Sequence, residues 1–105
     1  MSEKQLVSAC LDILSAYKIL AWRNNSGAMQ KTYKGKTHFV RFGAVGSPDI
    51  IAIHRGRFVG IECKVGYNKQ SNDQLKFQKN VENASGVYLL IYTPDELIKY
   101  LQNLL

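Results

Sequence analysis

Two acidic residues and a lysine, Asp49, Glu62 and Lys64, are the side chains of this sequence best placed to do chemistry together. They belong to two mostly apolar runs that read as β-strands, one on each side of Arg55-Gly56. That dipeptide fits a two-residue hairpin turn. Counted outward from the turn, the pairing places Asp49 directly across from Glu62, with Cβ atoms ~4.5–5.5 Å apart on one face of the sheet. Lys64 follows Glu62 by two residues, so its side chain emerges on the same face.

Facing carboxylates repel each other and weaken a hairpin unless a positive charge neutralises them. A hard divalent cation does this, and carboxylate oxygens suit Mg²⁺, with Mn²⁺ able to substitute. Cys63 directs its side chain to the opposite face, although its backbone carbonyl can turn toward such an ion. The placement depends on the turn, because a three-residue turn would shift the register by one and separate the acids. The alternative is a pair of solvated carboxylates beside a surface lysine.

The surrounding sequence predicts one α/β domain spanning residues 1–105, with helices on both sides of a small mixed sheet. Two capping-box patterns, Ser2-x-x-Gln5 and Ser71-x-x-Gln74, precede apolar residues at helical spacing. The nearly continuous apolar run 49–54 predicts a strand buried on both faces. The expected order is α-β-β-β-α-β-α. Its helices span 3–17, the segment from the second capping box to Gly86, and 95–104, and its strands span 19–22, 49–54, 57–64 and 87–92. Residues 28–38 are expected to be a polar loop or ribbon, and 37–42 could form a further strand.

Composition and charge narrow the classes of function. Of the 105 residues, 46% are hydrophobic and 21% charged, which excludes a disordered chain. Fourteen Lys+Arg against eight Asp+Glu give a net charge of +6, which suggests a polyanionic partner or, alternatively, a merely basic protein. No apolar run approaches the ~20 residues of a membrane span, and the N-terminus lacks a signal-peptide pattern. Cys10 and Cys63 have no metal-ligand or disulfide spacing, so we expect buried thiols in a cytoplasmic protein without a membrane association.

With these residues in place, the sequence resembles the PD-(D/E)XK nuclease superfamily, and more narrowly a stand-alone virus-type replication-repair nuclease (VRR-NUC) domain. The resemblance covers nearly the whole chain and implies a restriction-endonuclease-like α-β-β-β-α-β core. Cys63 stands where the family tends to carry an aliphatic residue. The matching segments are Glu3, Trp22-Arg23-Asn24-Asn25, Gly43-x-x-Gly46-x-Pro48-Asp49-Ile50, Gly56-Arg57-Phe58-x-Gly60-Ile61-Glu62-x-Lys64 and Ser71-x-x-Gln74-x-x-Phe77-Gln78.

The resemblance implies a role for each residue of the hairpin. Asp49, Glu62 and the backbone carbonyl of Cys63 would hold a Mg²⁺ ion, which polarises the scissile phosphate and lowers the pKa of a bound water. Lys64 would stabilise charge that develops on the phosphate or orient the attacking water.

Two residues outside the hairpin have both a site role and a simpler one. Glu3 extends the buried stripe of the first helix, and the resemblance makes it a further metal-site acid. The alternative is an acid that favours a helix N-terminus through the helix dipole. Gln74 heads the inward stripe of its helix, and the resemblance places it against the active site. The alternative is a capping-box glutamine that reaches back to the Ser71 backbone.

A basic stretch with interleaved aromatic residues predicts a DNA-contacting ribbon, because phosphate contacts give affinity without reading sequence. The alternative is an ordinary solvated loop. We expect Trp22 and the tyrosines to lie in or near the core rather than to serve as stacking platforms. The candidate DNA-binding residues are Lys31, Lys34, Lys36 and Arg41 in this stretch, together with Arg23, Asn24, Asn25 and Lys69.

The function that these residues predict is a Mg²⁺-dependent, structure-selective DNA endonuclease. A two-fold homodimer would match a symmetric Holliday (four-way) junction, the first substrate expected. The alternatives are a monomeric flap or nicking nuclease, a non-catalytic basic nucleic-acid-binding module, and a structural protein. An apolar stripe on the last helix offers a dimer face, unless it only covers the chain's own sheet; its residues are Leu97, Ile98, Leu101, Leu104 and Leu105.

Overall fold

A computed structural model of the chain describes residues 1–24, 27–42 and 44–103, with the backbone alone over 27–33 and 37–42. Three helices and six strands are formed by the described residues. They are α1 (Glu3–Ala16), β1 (Leu20–Arg23), β2 (Gly27–Tyr33), β3 (Lys36–Phe42), β4 (Ile50–His54), β5 (Arg57–Cys63), α2 (Asn72–Asn83), β6 (Val87–Ile91) and α3 (Pro94–Gln102).

The main sheet has four strands in the order β1-β4-β5-β6. The β1–β4 and β4–β5 pairs are antiparallel, whereas β5 and β6 run parallel and are joined through α2. Helices α1 and α3 pack against one another and on the sheet, and α2 packs against β6. The predicted class, an α/β domain with a small mixed sheet flanked by helices, is confirmed.

The hairpin of β4 and β5 has the predicted register. Arg55 and Gly56 form its turn with φ angles of +53° and +77°, and Ile50 pairs with Ile61 at its far end. Positive φ at both central residues matches the right-handed twist of the strands. Continued by one residue, this pairing brings Asp49 across from Glu62, as the sequence predicted.

The two faces of β4 are not equally covered, contrary to the expectation of a strand buried on both sides. Ile50 and Ala52 are completely buried on the face that α1 and α3 cover, but Ile53 on the other face is 42% exposed. Leu20 and Trp22 of the neighbouring strand are exposed beside it, at 66% and 44%. An apolar run therefore marked the strand correctly without revealing how many layers cover it.

The core lies between the sheet and the pair α1 and α3. Helix α1 begins at the predicted capping box, where Ser2 Oγ accepts from Gln5 N and Gln5 Oε1 accepts from Ser2 N. Leu97 and Leu101 of α3 are buried, at 0% and 5% exposure. Their side of the stripe covers the chain's own sheet, so these two leucines are not available as a dimer face. Leu104 and Leu105 lie outside the described residues.

Strands β2 and β3 form a separate two-stranded sheet. It turns at Lys34 and Gly35, again with positive φ at both residues. The predicted basic ribbon is thus a β-hairpin inserted between β1 and β4. Its length explains why the radius of gyration, 15.2 Å, exceeds the ~13 Å of a compact domain of this size.

No helix in the described part of the chain is long and apolar enough to span a membrane.

Candidate metal centre

Asp49 is held at the start of β4 by backbone contacts on both sides. Its Oδ2 accepts a hydrogen bond of 2.8 Å from the N–H of Cys63 on β5. Its own carbonyl accepts one of 2.7 Å from the N–H of Asn24, which follows β1. The carboxylate is therefore fixed across the strand end by the hairpin register itself.

The segment before Asp49 is tied to β1 by a side chain. Nδ2 of Asn24 donates to Ser47 Oγ at 2.8 Å and to the Pro48 carbonyl at 2.9 Å. Asn24 was a candidate DNA contact, and the structure gives its amide group a positioning role that sequence reasoning missed. Its partners lie 23 and 24 residues away in the chain, so no local pattern could have indicated them.

Two glycines leave room for the same segment. A Cβ on Gly60 would lie 2.8 Å from Pro48 Cγ, which is closer than real Cβ contacts allow. Gly46 has φ of +77°, and a Cβ there would collide with the Asp73 carbonyl at the start of α2. Both glycines therefore permit the approach that carries Pro48 against the sheet and Asp49 to its edge.

Glu62 is a buried carboxyl with an unmet hydrogen-bonding need. The residue is 2% exposed, and its Oε2 has no hydrogen-bond partner among the described residues. Burial and, next, the nearby negative charge of Asp49 raise the pKa of Glu62 to about 8, while Lys64 opposes the shift. An orphaned buried carboxylate oxygen is costly in a native fold unless an ion or a water meets it.

Lys64 emerges beside Glu62, as predicted. Its Nζ lies 3.8 Å from Glu62 Oε1, and its side chain is 13% exposed. The backbone is anchored to the neighbouring strand, because Lys64 N donates to the Ile91 carbonyl at 3.0 Å. The ammonium group is therefore held at the acidic pair rather than extended into solvent.

Glu3 completes an acidic cluster with Asp49 and Glu62, which we call the acidic triad. One carboxylate oxygen from each residue lies within 4.8 Å of the other two. Glu3, expected to extend the buried stripe of α1, thus has its carboxylate beside the two acids of the hairpin. Three carboxylates and one ammonium leave two negative charges when all are ionised, and hard oxygen donors with that charge suit Mg²⁺ or Mn²⁺. The residues present therefore fit a divalent cation.

Cys63 contributes to this edge through its backbone. Its side chain is completely buried in the core, where the thiol of Cys10 is its neighbour, and both cysteines are free. Burial beside Cys10 raises the pKa of the Cys63 thiol, which keeps it protonated and unreactive. Its N–H is the group that contacts the triad, through Asp49.

Gln74 has the capping role that was one of its two predicted readings. Its Oε1 accepts from Ser71 N at 2.8 Å, and Ser71 Oγ accepts from Gln74 N at 3.2 Å. The side chain is half-buried. A role of its remaining NH₂ group toward the triad stays a prediction.

Tyr88 is a site neighbour that the sequence gave no reason to single out. It pairs with Gly60 on β5 and so shares a face of the sheet with Glu62. The residue is 7% exposed, and its hydroxyl has no hydrogen-bond partner among the described residues. Burial raises the pKa of Tyr88 to about 12, so the hydroxyl stays protonated.

The candidate DNA-binding residues fall into two regions. Arg23 and Lys69 are exposed and belong to segments that meet the edge of the sheet carrying the triad, the end of β1 and the loop after β5. Lys34 and Lys36 are exposed at the turn of the β2–β3 hairpin. Asn25 and the side chains of Lys31 and Arg41 lie outside the described residues.

The aromatic residues only partly match the expectation that they would pack inside. Tyr88 is buried, but Trp22 is 44% exposed and Tyr67 is completely exposed. A tyrosine in a polar loop carries no periodicity that would reveal its burial.

A separate apolar groove of about 650 Å³ lies between α2 and the start of β5, with Phe58, Phe77 and Val81 among its walls. It is at the turn end of β5, whereas Glu62 is near the opposite end of that strand. The groove is therefore not part of the acidic site.

Comparison with models of known protein families gives no match, and comparison with curated proteins gives none either.

Proposed function

We propose that this protein is a metal-dependent DNA endonuclease of the PD-(D/E)XK type, with a VRR-NUC-like site and a restriction-endonuclease-like core. The observation that carries the proposal is the buried Glu62 carboxyl, with an orphaned oxygen, facing Asp49 beside Lys64. Stability alone does not favour this arrangement, because burying like charges together is unfavourable. A phosphodiesterase site would account for the cluster, because its carboxylates would bind the catalytic metal ion.

Glu3, Asp49 and Glu62 would hold the Mg²⁺ ion, with the Cys63 carbonyl as a further oxygen ligand. When bound, the ion supplies Lewis acidity at the scissile phosphate and activates water. The protein's own contribution is to hold the oxygen donors in place. The hairpin register fixes the position of the Asp49 carboxylate, and burial fixes that of the Glu62 carboxylate. Mn²⁺ would substitute because it accepts the same oxygen donors.

Lys64 would act on the phosphate itself. Its ammonium group stays next to Glu62, so it is positioned before substrate arrives. A fixed positive charge stabilises the extra negative charge of the phosphorane-like transition state more than that of the ground state. Removing it would therefore lower turnover more than binding.

DNA is the substrate that the charge distribution favours. The net charge is +6, and Arg23, Lys69, Lys34 and Lys36 are exposed basic residues outside the acidic triad. An arm of seven-residue strands is ~23 Å long, enough to follow about seven base pairs. Such contacts bind phosphates without reading sequence, so selectivity would come from the shape of the DNA.

Paired cleavage of a four-way junction requires two active sites at a fixed spacing, and the chain supplies one acidic triad. We therefore propose a homodimer acting on branched DNA.

The experiment is cleavage of a labelled four-way junction and of a linear duplex with matched sequence, in Mg²⁺, in Mn²⁺ and in EDTA. Wild type is compared with Lys64→Ala and with Lys79→Ala, an exposed lysine on α2 that serves as the matched control. We expect symmetric cuts in the junction for wild type and Lys79→Ala, a loss of at least 100-fold in Lys64→Ala, and no cleavage in EDTA.

Cleavage that persists in EDTA, or in a folded Lys64→Ala variant, would overturn the assignment of the cleavage to this metal site. Equal cutting of junction and duplex would retain the metal site and remove the junction selectivity. Salt-sensitive binding without cleavage by wild type would instead identify a non-catalytic binding module.

A further inference from the structure

The loop between β5 and α2 presents a tyrosine ring entirely to solvent. Tyr67 is fully exposed, although a free tyrosine ring usually covers some of its own protein's surface. The backbone beneath it is held in place: Asn68 N donates to the Val65 carbonyl at 3.2 Å, and Tyr92 Oη donates to the Asn68 carbonyl at 2.8 Å. The ring is thus carried outward on an anchored turn.

This turn lies next to the acidic triad. Tyr67 follows Lys64 by three residues, so their Cα atoms are at most ~11 Å apart, and Lys64 is fixed to β6 through its N–H. Lys69, two residues after the tyrosine, is exposed on the same loop. An aromatic face and a positive charge therefore stand together within a few nucleotides of the place where a phosphate would be cut.

Aromatic rings beside basic side chains are the usual surface for unpaired nucleobases, because every base has a face that stacks and a phosphate that attracts cations. A base inside a continuous duplex is already stacked and has no free face to offer. Branch points, gaps and ends expose such faces. A ring at the edge of the site therefore distinguishes branched DNA from duplex without reading sequence.

We propose that Tyr67 is a stacking platform for a base left unstacked beside the scissile phosphate, and that this contact selects branched over linear DNA. The inference rests on the proposed nuclease function for the position of the phosphate. It adds the chemical feature of the substrate that the site recognises.

The test measures stacking without cleavage. Junctions carry the fluorescent base 2-aminopurine one, two or three nucleotides from the branch point, and binding is followed in EDTA. Wild type is compared with Tyr67→Phe, Tyr67→Ala and Tyr17→Ala. Tyr17 is a second exposed tyrosine, at 37%, at the end of α1 that is ~21 Å from Glu3.

We expect wild type, Tyr67→Phe and Tyr17→Ala to quench one of the three probes and to prefer junction over duplex. Tyr67→Ala should lose the quenching and bind the junction roughly five- to 150-fold more weakly, the range for loss of one stacked base, with unchanged duplex affinity. All variants should keep the circular dichroism spectrum of the wild type.

Equal quenching and equal junction preference in Tyr67→Ala would overturn the inference, whatever the cleavage assay shows. So would a loss of affinity for both DNAs alike, because that identifies a general contact and not a stacking site. Failure of the nuclease proposal is a different result: wild type would quench the probe in EDTA but cut nothing in Mg²⁺.

Discussion

Glu62 is the residue at which folding and the proposed chemistry oppose each other. A carboxyl group with 2% exposure is held in its neutral form by burial and by the charge of Asp49, which raise its pKa to about 8. A metal ion requires the ionised form. The metal-free fold therefore keeps a proton where the loaded site would keep a cation.

This opposition predicts a pH dependence of stability in EDTA. Unfolded glutamate has a pKa of ~4.3, so between that value and about 8 the folded chain holds a proton that the unfolded chain has released. The contribution of Glu62 to the free energy of unfolding is therefore fully present below pH ~4.3 and is lost as the pH rises to about 8. Glu62→Gln should remove this part of the slope of Tm against pH, measured by thermal unfolding.

The matched control for that measurement is Glu82→Gln, because Glu82 is exposed on α2. Its Tm should follow the wild-type curve. Adding Mg²⁺ at pH 8 should raise the Tm of the wild type and not that of Glu62→Gln. A Glu62→Gln curve that is parallel to the wild-type curve from pH 5 to 8 would contradict the raised pKa.

Asn24, which the sequence suggested as a DNA contact, instead supports the backbone next to Asp49, a candidate metal ligand. Its two side-chain hydrogen bonds reach Ser47 and Pro48, and neutral hydrogen bonds contribute ~0.5–1.5 kcal/mol each. Asn24→Asp keeps the shape and removes both donors. We expect a loss of ~1–3 kcal/mol in the free energy of unfolding and a lower kcat with little change in KM, because Asp49 loses its support.

Kinetics at two salt concentrations separate this role from a DNA contact. Replacing a residue that contacts a DNA phosphate would raise KM and reduce the salt dependence of DNA binding. Asn80→Asp, at an exposed position on α2, is the control for the added charge. An Asn24→Asp variant with normal kcat and raised KM would favour the DNA contact that the sequence suggested.

At the scale of elements, the contact between Pro48, in the segment before β4, and Gly60 of β5 leaves no room for a larger side chain. Gly60→Ala would place a Cβ 2.8 Å from Pro48 Cγ and 3.1 Å from Phe58 Cε1. Pro48 is itself fully buried, so it must move, and Asp49 follows it in the chain. We expect a loss of stability of ~1–3 kcal/mol, the usual cost of overpacking, and a larger proportional loss of cleavage and of Mg²⁺ binding.

Gly35→Ala gives the comparison for Gly60→Ala. Gly35 has φ of +74° and open space around it, so alanine there costs ~1–2 kcal/mol through backbone strain alone. Mg²⁺ binding by this variant should fall no further than its stability accounts for, because Gly35 lies at the turn of the β2–β3 sheet and not in the sheet that carries Glu62. Normal Mg²⁺ affinity in Gly60→Ala would show that the Pro48 contact does not position Asp49.

At the level of elements, the features that depend only on neighbouring residues in the sequence, namely the helix caps and the hairpin turn, could be predicted. Both capping boxes and the Arg55-Gly56 turn depend on a few consecutive side chains, and the turn sets the register that brings Asp49 to Glu62. Apart from the placement of Glu3, the tertiary features could not be predicted. The covering of only one face of β4, the burial of Leu97 and Leu101, and the reach of Asn24 to Ser47 depend on how elements stack.

At the scale of the whole molecule, the lysines at the turn of the β2–β3 hairpin belong to a different sheet from Glu62. The triad gathers residues from α1, β5 and the segment before β4, whereas Lys34 and Lys36 are exposed on the hairpin between β1 and β4. Under the proposed function, one such unit would cut one strand. Coordinated cutting of two strands needs a second unit that is held in register with the first.

Subunit mixing tests that coordination without assuming which surface joins the subunits. In a fivefold excess of Lys64→Ala, random pairing gives about ten mixed dimers for each wild-type dimer. A cruciform plasmid should then yield nicked circles where wild type alone yields linear DNA. The same excess of Lys79→Ala should leave the products linear, because every subunit stays active.

A monomeric enzyme behaves differently in this experiment. Lys64→Ala would then compete for junctions and slow all cleavage, but the ratio of nicked to linear products at equal extent of reaction would not change. The product ratio, rather than the rate, therefore decides between paired and independent incision. It does so for the intact protein at the concentration used in the cleavage assay.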